Sequence, residues 1–465
     1  MNKILLIFVL YLSFSACNES PKKNDTPVEE TLPNIILLIG DDQGYPYFGF
    51  MGADYVETPN MDILAANGTL FTDGYVPKNH CRPSLQSLMT GTLPIDYNKE
   101  VDELMRDNMA RIRFKSEENR KEWQRNFKHN AMKNFRTLPK ILAEKGYQSF
   151  QGGKWWEFNF ENGGFTHGMT TGWTPEDRKP GHNWFKKFMG GQGLKLGRAT
   201  MEPVYEFIDN NTEKPFFIWY APELPHYPLN APDKYYNIYK DKDMTESAKR
   251  YYANCTWFDD GVGELVNHLK EKNEFENTLF VYVNDNGWEQ NPDQEFRSDS
   301  MRWHNGGDKG KLSMYDQSFR TPIIFSWYEK NEKGARKSDL IHSADIPATI
   351  LDYLNIEIPK GYFGQSYKPI IENQTSNLRT EIIGRVEKTR SEEDMMGKDI
   401  EGYWIRNKDW FFNWDMTSGV KLLFDMNKDP LNSENLAERE LELVADFSRK
   451  VEDWKAEKAK KGLND

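Results

Sequence analysis

The chemistry of this chain centres on the stretch His80-Cys81-Arg82-Pro83-Ser84-Leu85-Gln86-Ser87-Leu88-Met89-Thr90-Gly91, which contains one of only three cysteines. Pro83 suits the first turn of a helix, where its missing N–H is no loss, and Gly91 favours the end of that helix. Cys81 is therefore expected at a helix N-terminus, where free N–H groups and the helix dipole favour an anion. A buried structural cysteine is the ordinary alternative for a single thiol, so the meaning of Cys81 depends on its surroundings.

Acidic and amide side chains follow two of the most apolar segments. The segment NIILLIG runs directly into Asp41 and Asp42, and TLFVYV ends just before Asp285 and Asn286. Adjacent carboxylates repel each other, and a metal ion or another strong cation would relieve that repulsion. A solvated acidic turn is the alternative. Carboxylate and amide oxygens are hard ligands, so this set favours Ca²⁺ or Mg²⁺ over zinc.

Two further strand-like segments lead into basic groups. Lys154 follows a pair of glycines and precedes Trp155 and Trp156, which suggests a partly buried cation, with a solvated lysine as the alternative. His226 lies in the segment APELPHYP, where three prolines favour a stiff loop. A metal ion, lysines and a histidine around a nucleophile suit attack on a phosphoryl or sulfuryl centre. The histidine can protonate the leaving oxygen.

Strand-like and helical segments alternate over most of the chain. This alternation predicts an α/β fold with a large mixed, mostly parallel sheet sandwiched by helices. Ligands of such sheets bind beyond the carboxyl ends of the strands, so the acidic groups, the basic groups and Cys81 are expected to meet at one edge. After about residue 375, short strands and a charged helix predict a smaller C-terminal antiparallel α+β subdomain.

The motifs together resemble a type I (formylglycine-dependent) sulfatase of the alkaline phosphatase superfamily. The segments that carry the resemblance run in family order from residue 33 to about residue 437: PNIILLIGDDQG, HCRPSLQSLMTG, GYQSFQGGKWW, APELPHYP, VNDNG, KLSMYDQSFRTP and LFDMNKDPLNSENLA. They span nearly the whole chain after its N-terminal segment. As a set they are specific for that family.

The resemblance implies a role for each matching residue. Cys81 would be the nucleophile after a formylglycine-generating maturation enzyme has oxidised it. The implied Ca²⁺ ligands, with Mg²⁺ as the alternative ion, are Asp41, Asp42, Asp285, Asn286 and the modified Cys81. The residues implied to hold the sulfate and the leaving oxygen are Lys154, His226 and Lys311, with Lys311 preferred to Lys309 because it stands four residues before Tyr315.

Two positions depart from the family pattern. Leu85 stands where the motif C-x-P-S-R has arginine, and Trp156 stands where the motif G-K-W-H has histidine. Arg82 and His80 are the candidates to compensate. The predicted substrate-binding residues are Arg82, Trp156 and His304.

The N-terminus predicts export. Lys3 precedes an apolar run too short to span a bilayer, and small residues before Cys17 resemble a bacterial lipoprotein cleavage box. We expect a signal peptide over residues 1–17 with Cys17 lipidated, a flexible tether over 18–32, a catalytic domain over 33–375 and the C-terminal subdomain over 376–465. Ordinary secretion with cleavage near Ala16 is the alternative. The predicted location is the periplasm or the outer membrane, with membrane contact only through the lipid anchor.

The net charge of the chain excludes one class of partner, and the motifs predict a function. The net charge of −12 over 465 residues makes nucleic acid an unsuitable partner. The predicted function is hydrolysis of a sulfate ester of a sulfated carbohydrate. Two alternatives stay open: a phosphate or phosphonate ester hydrolase that uses unmodified Cys81, and an impaired lipoprotein that binds sulfated glycan without turnover.

Overall fold

The computed structural model describes residues 32–174, 184–288, 309–386 and 401–460. The strands of the larger sheet are β1 (Asn34–Gly40), β2 (Thr69–Tyr75), β3 (Gln148–Gly153), β4 (His167–Gly168), β5 (Phe216–Ala221), β6 (Thr278–Asn284), β7 (Arg320–Trp327), β8 (Ala335–Lys337) and β9 (Ile341–His342). Among these described strands the order is β4-β3-β5-β1-β6-β7-β2-β8, with β9 beside β2. Strand β7 runs antiparallel to both of its neighbours, and the other pairings are parallel.

Helices cover both faces of this sheet. The helices of the described residues are α1 (Pro59–Ala66), α2 (Cys81–Thr90), α3 (Pro94–Met109), α4 (Glu117–His129), α5 (Leu138–Ala143), α6 (Trp184–Met189), α7 (Glu202–Asp209), α8 (Asp233–Tyr239), α9 (Glu246–Glu271), α10 (Asp345–Tyr353), α11 (Lys368–Ile371) and α12 (Leu441–Lys460). Within these residues, no helix combines the length and the apolar character that crossing a bilayer would require.

Strand β1 lies in the middle of the sheet and explains why its segment is apolar throughout. Ile35, Leu37 and Ile39 point to one face, where they pack with α2, α5 and α10. Ile36 and Leu38 point to the other face, where they pack with α1, α7 and α9. Because both faces are buried, a polar residue at any of these positions would lose its water without gaining a partner. The predicted sandwiched, mostly parallel sheet is confirmed.

A second sheet follows near the C-terminus. Its antiparallel strands are β10 (Glu381–Val386), β11 (Gly402–Asn407), β12 (Trp410–Asp415) and β13 (Lys421–Asp425). Helix α12 packs on one face of this sheet through Phe447 and Val451. The other face packs through Trp404 and Phe411 against residues of the larger sheet. The predicted antiparallel α+β unit is thus present, and the contacts between residues place it in the same compact unit as Pro33 and the residues that follow.

A buried network of charges joins the two sheets. Arg406 on β11 donates from Nε to the Tyr75 hydroxyl at 2.7 Å and lies 3.4 Å from the Asp73 carboxylate. Arg320 at the start of β7 binds the same carboxylate at 2.6 Å. The Tyr75 hydroxyl donates to Asp316 Oδ1 at 2.7 Å. Removal of one charge from such a network leaves the others buried without compensation.

We therefore expect Arg406→Ala to lower the free energy of unfolding by about 3–5 kcal/mol, because Asp73 and Asp316 lose a buried counter-charge. The matched control is Arg449→Ala on the exposed side of α12, where ion pairs with Asp446 and Asp453 are solvated and a change below about 0.5 kcal/mol is expected. Urea denaturation followed by tryptophan fluorescence measures both. Equal denaturation midpoints for the two variants would contradict the role of the network.

Candidate active site

The site begins where β1 ends. Gly40 is the last residue of the strand, and a Cβ there would lie 2.3 Å from Asn284 Oδ1, so this close approach of β1 and β6 requires glycine. The Asp41 N–H continues the ladder by donating to the Leu224 carbonyl at 3.0 Å. Asp42 then adopts a left-handed backbone conformation, with φ of 64°, and its N–H donates to Asp285 Oδ1 at 3.1 Å. This turn brings both carboxylates to the edge of the sheet.

Asp285 and Asn286 directly follow β6 and lie at the same edge of the sheet as Asp41 and Asp42. The Asp285 N–H donates to the Gly40 carbonyl at 3.0 Å, so the ends of β1 and β6 stay in register. Asn286 Nδ2 donates to Asp42 Oδ1 at 2.5 Å. Both side chains are completely buried.

Cys81 is the first residue of α2, and His80 takes the N-cap position. The buried residues Leu88 and Met89 anchor the helix against the sheet. Gly91 ends the helix with φ of 63°. Possible ligand atoms of Asp41, Asp42, Cys81 and Asp285 all lie within 4.8 Å of one another.

Two lysines face this cluster from different elements. Lys154 follows β3, and its Nζ lies 2.5 Å from Asp41 Oδ1 and 3.7 Å from Asp285 Oδ2. Gly153 makes this possible because it has φ of 89° and a Cβ at that position would lie 1.8 Å from the Ala221 carbonyl oxygen. Lys311 precedes β7, and its Nζ lies 2.8 Å from Asp42 Oδ1. Because β7 is antiparallel, its amino end reaches the edge that the parallel strands reach with their carboxyl ends.

His226 lies in the loop between β5 and α8. Its Nδ1 lies 2.6 Å from the Tyr227 carbonyl oxygen, and because a carbonyl can only accept, Nδ1 carries a proton. The other ring nitrogen, Nε2, therefore faces the cluster, 3.6 Å from Asp42 Oδ2. The side chain is only 1% exposed, so its orientation is fixed by the protein.

Burial and mutual repulsion control the protonation of the carboxylates. Burial, and then the nearby Asp285 and Asp42 carboxylates, raise the pKa of Asp41 well above its usual value despite Lys154. Burial likewise raises the pKa of Asp285. Burial also acts on Asp42, but Lys311 and His226 outweigh it and hold the pKa of Asp42 far below its usual range. A divalent cation among these groups would favour the ionised form of every carboxylate.

The pKa values of Lys154 and Cys81 are also raised, for different reasons. Burial disfavours the charged form of Lys154, but Asp41, Cys81 and Asp285 overcome this and raise the pKa of the lysine. Burial raises the pKa of Cys81 to about 12. Without a cation beside it, burial therefore favours the neutral thiol, which is a poor nucleophile.

The residues of the cluster fit a hard metal ion. Three buried oxygens, Asp41 Oδ2, Asp285 Oδ2 and Asn286 Oδ1, accept no hydrogen bond within the described part of the chain. Buried polar atoms are normally satisfied, so acceptors of this kind in and beside the cluster of Asp41, Asp42, Cys81 and Asp285 fit a bound cation. The acceptors are all oxygens of carboxylates or of an amide, which Ca²⁺ and Mg²⁺ prefer.

Arg82 is held by an acidic partner that the sequence did not reveal. Its Nε and Nη2 donate to the two Glu157 oxygens at 2.8 and 2.9 Å, and Gln86 Nε2 donates to the same carboxylate at 3.0 Å. Glu157 is 2% exposed. The only signal in the sequence was an acidic residue at the end of an aromatic run. This pair ties the first turn of α2 to the segment that carries Lys154.

The two positions that depart from the motif are apolar and buried. Leu85 belongs to the core beneath α2 and is 5% exposed. Trp156 is 6% exposed, and its ring centroid lies 5.7 Å from Lys154 Nζ. Ring contacts continue from Trp156 to Phe188 at 5.1 Å and on to Trp173 at 5.4 Å. Phe188 and Trp173 are half-buried, so an aromatic surface leads away from the cluster.

Two predicted residues, His304 and Cys17, lie outside the described residues. The others, including Lys311 and Trp156, are gathered within one region at the edge of the larger sheet. Their catalytic and binding roles remain predictions.

Comparison with known proteins identifies the relatives of this chain. The sequence model of the family described as Sulfatase matches residues 33–356, and the model described as N-sulphoglucosamine sulphohydrolase, C-terminal, matches residues 306–457. An arylsulfatase of Clostridium perfringens is 26% identical, with 90% of this chain and 93% of the relative covered. An N-acetylglucosamine-6-O-sulfatase of Bacteroides thetaiotaomicron is 23% identical, with 80% of this chain and 75% of the relative covered.

A solved structure shares the fold. It is described as a complex with its substrate, D-glucosamine-2-N,6-O-disulfate, and it superposes with a TM-score of 0.69 at 19% identity, covering 93% of this chain and 99% of that chain. The family match extends over more than half of the sequence and includes the strands and loops that form the site. The chain belongs to the sulfatase family, whose members are sulfuric ester hydrolases.

Proposed function

We propose that this protein hydrolyses a sulfate ester of a sulfated carbohydrate, with Cys81 converted to formylglycine and with Ca²⁺ held by Asp41, Asp42, Asp285 and Asn286. The observation that carries the proposal is the buried cluster in which three ligand oxygens accept no hydrogen bond from the described residues. When present, the calcium ion supplies Lewis-acid stabilisation of developing negative charge, and the formylglycine supplies an oxygen nucleophile in place of the thiol.

The charges of the site suit a sulfate monoester. Three carboxylates face two lysines, so the ionised cluster carries one excess negative charge. A bound divalent cation makes the carboxylates, lysines and metal together net positive, which suits a negatively charged sulfate monoester. Lys154 and Lys311 would bind the non-bridging oxygens of that ester, since both ammonium groups already reach the cluster.

His226 is the proposed proton donor. Its Nδ1 is bound to a carbonyl, so only Nε2 can deliver a proton toward the cluster. Protonation of the leaving oxygen matters most when that oxygen belongs to a sugar hydroxyl, because a sugar alkoxide is a poor leaving group.

A carbohydrate substrate is supported by the relatives and by the aromatic surface. One relative is named for N-acetylglucosamine-6-O-sulfate, and the structural neighbour was solved with a disulfated glucosamine. Trp156, Phe188 and Trp173 offer aromatic surface beside Lys154, on which the apolar face of a sugar ring can stack. Arg82 and Trp156 are proposed to contribute to substrate binding, and His304 is proposed from its sequence position.

The two alternatives make different demands on the site. A phosphate or phosphonate ester hydrolase that uses unmodified Cys81 requires a thiolate, which burial opposes and which a bound cation would have to stabilise. A glycan-binding protein without turnover has no need for four converging metal ligands.

Lipidation of Cys17 and export to the periplasm or the outer membrane are further proposals that rest on the N-terminal sequence.

The first test is peptide mass spectrometry of the Cys81 peptide from protein made in a bacterium that carries a formylglycine-generating enzyme. We expect a mass about 18 Da below that of the cysteine peptide, because the thiol is replaced by an aldehyde at a nucleophile position. Cys81→Ala is expected to fold but to release no sulfate. An unmodified thiol in a protein that still hydrolyses sulfate esters would overturn the formylglycine proposal, and turnover of phosphate esters alone would favour the alternative hydrolase.

The second test concerns the metal ion. Asp285→Asn keeps the shape of the side chain but removes its charge, so we expect the affinity for Ca²⁺ to fall by more than about 100-fold. The matched control is Asp259→Asn, an equally buried carboxylate that accepts N–H groups of Asn60 and Met61 at the start of α1. Calorimetric titration of chelator-treated protein measures affinity, and the calcium-dependent rise in melting temperature checks it. Unchanged calcium binding in Asp285→Asn would exclude this cluster as the metal site.

The third test separates proton donation from binding. His226→Ala should slow hydrolysis of phenyl sulfate about 1000-fold but that of 4-nitrophenyl sulfate only about 10-fold, because the better leaving group needs less protonation. His268→Ala serves as control, since His268 lies on α9 and its Nε2 is within 2.8 Å of Asp209 Oδ1. Equal losses on both esters would contradict the role of a general acid.

A further inference from the structure

The loop that carries His226 is held by one arginine from another part of the chain. Arg198 Nε donates to the Glu223 carbonyl at 2.6 Å and Nη2 donates to the His226 carbonyl at 2.6 Å. The Arg198 guanidinium also donates to the Pro228 carbonyl at 3.3 Å and to Asn230 Oδ1 at 2.7 Å. One side chain therefore binds acceptors on both sides of the histidine.

The loop needs such a donor because of its own sequence. Beyond β5 it forms only an isolated bridge with Asp41, through the Leu224 carbonyl, and its prolines have no N–H to offer, so its other carbonyls depend on partners outside the sheet. A guanidinium has five donors in a rigid plane, and this geometry suits several carbonyls that face one point. Asn254 on α9 adds hydrogen bonds from its Nδ2 to the Pro225 and Pro228 carbonyls at 3.2 Å, on either side of His226.

Arg198 is itself fixed. Its side chain is 11% exposed, and its Nε lies 3.5 Å from the buried Glu223 carboxylate, which also binds Lys186 at 3.1 Å. The guanidinium carbon lies 5.5 Å from the centroid of the Trp257 ring on α9. These contacts restrict the arginine side chain, so the loop is held by a rigid group.

We propose that Arg198 is a positioning residue for catalysis, which holds the His226 backbone so that Nε2 faces the leaving oxygen. The inference rests on the proposed function of His226 as proton donor. The Nδ1 contact with the Tyr227 carbonyl orients the ring only while the loop keeps its shape, and Arg198 binds that loop on both sides of the ring. A displacement of even about 1 Å at such a group can cost 100-fold in rate.

The test is Arg198→Lys, which keeps the positive charge but replaces a five-donor plane with one ammonium group. We expect kcat on phenyl sulfate to fall about 30-fold and kcat on 4-nitrophenyl sulfate to fall less than about 3-fold, with KM nearly unchanged. Arg136→Lys is the matched control, because Arg136 is exposed and paired with Glu144. It should resemble the wild type on both esters.

A second measurement does not depend on turnover. Amide hydrogen exchange of the peptide over residues 222–230 should be at least about 10-fold faster in Arg198→Lys than in the wild type, while exchange over β1 stays unchanged. If Arg198→Lys fails to fold, Asn230→Ala removes one exposed acceptor of Arg198 and should give a smaller loss confined to phenyl sulfate.

The outcomes separate the two proposals. A wild-type protein that releases no sulfate from either aryl ester or from sulfated monosaccharides would refute the proposed function, and hydrogen exchange would still report whether Arg198 holds the loop. With an active wild type, equal losses on the two esters, or unchanged exchange over residues 222–230, would overturn the role of Arg198. A loss confined to phenyl sulfate together with faster exchange in the loop would support it.

Discussion

The structure depends on keeping three carboxylates together away from water. Asp41, Asp42 and Asp285 would repel one another strongly in a buried site, and their unfavourable interaction is offset by Lys154 and Lys311. The partners are far apart in sequence, with more than 100 residues between each lysine and its aspartate. The charge balance therefore exists only when the central strands and their neighbours have assembled, and this couples the active site to the complete fold.

The topology of the larger sheet brings these distant partners to one edge. Strands β1, β3, β5 and β6 are parallel, so the residues that follow each of them lie at the same edge of the sheet. Strand β7 runs the other way, so its contribution comes from the residues before it, and Lys311 reaches the cluster by that route. The rule that ligands bind beyond the carboxyl ends of strands thus accounts for most of the site but not for Lys311.

Local sequence patterns predicted the strands well because β1 and β6 are buried on both faces and are apolar throughout. The helix at Cys81 was equally readable from Pro83 and Gly91. Contacts between residues that are far apart in sequence could not be predicted. The Glu157 carboxylate that binds Arg82, and the four acceptors of Arg198, depend on loop conformations that leave no periodic signal in the sequence. Lys311 was located through the family motif, since no local pattern distinguishes it from Lys309.

The second sheet helps to hold the segment that contains Lys311. The segment between Lys311 and β7 is bound by that sheet and the loop after it: Asn413 donates to the Met314 carbonyl at 2.8 Å, and the Asp316 N–H donates to Asn432 at 2.9 Å. The charge network of Arg406 acts on the same segment. The C-terminal subdomain is therefore part of the scaffold that holds Lys311, and exchange of this subdomain between related enzymes would have to carry the 311–316 segment with it.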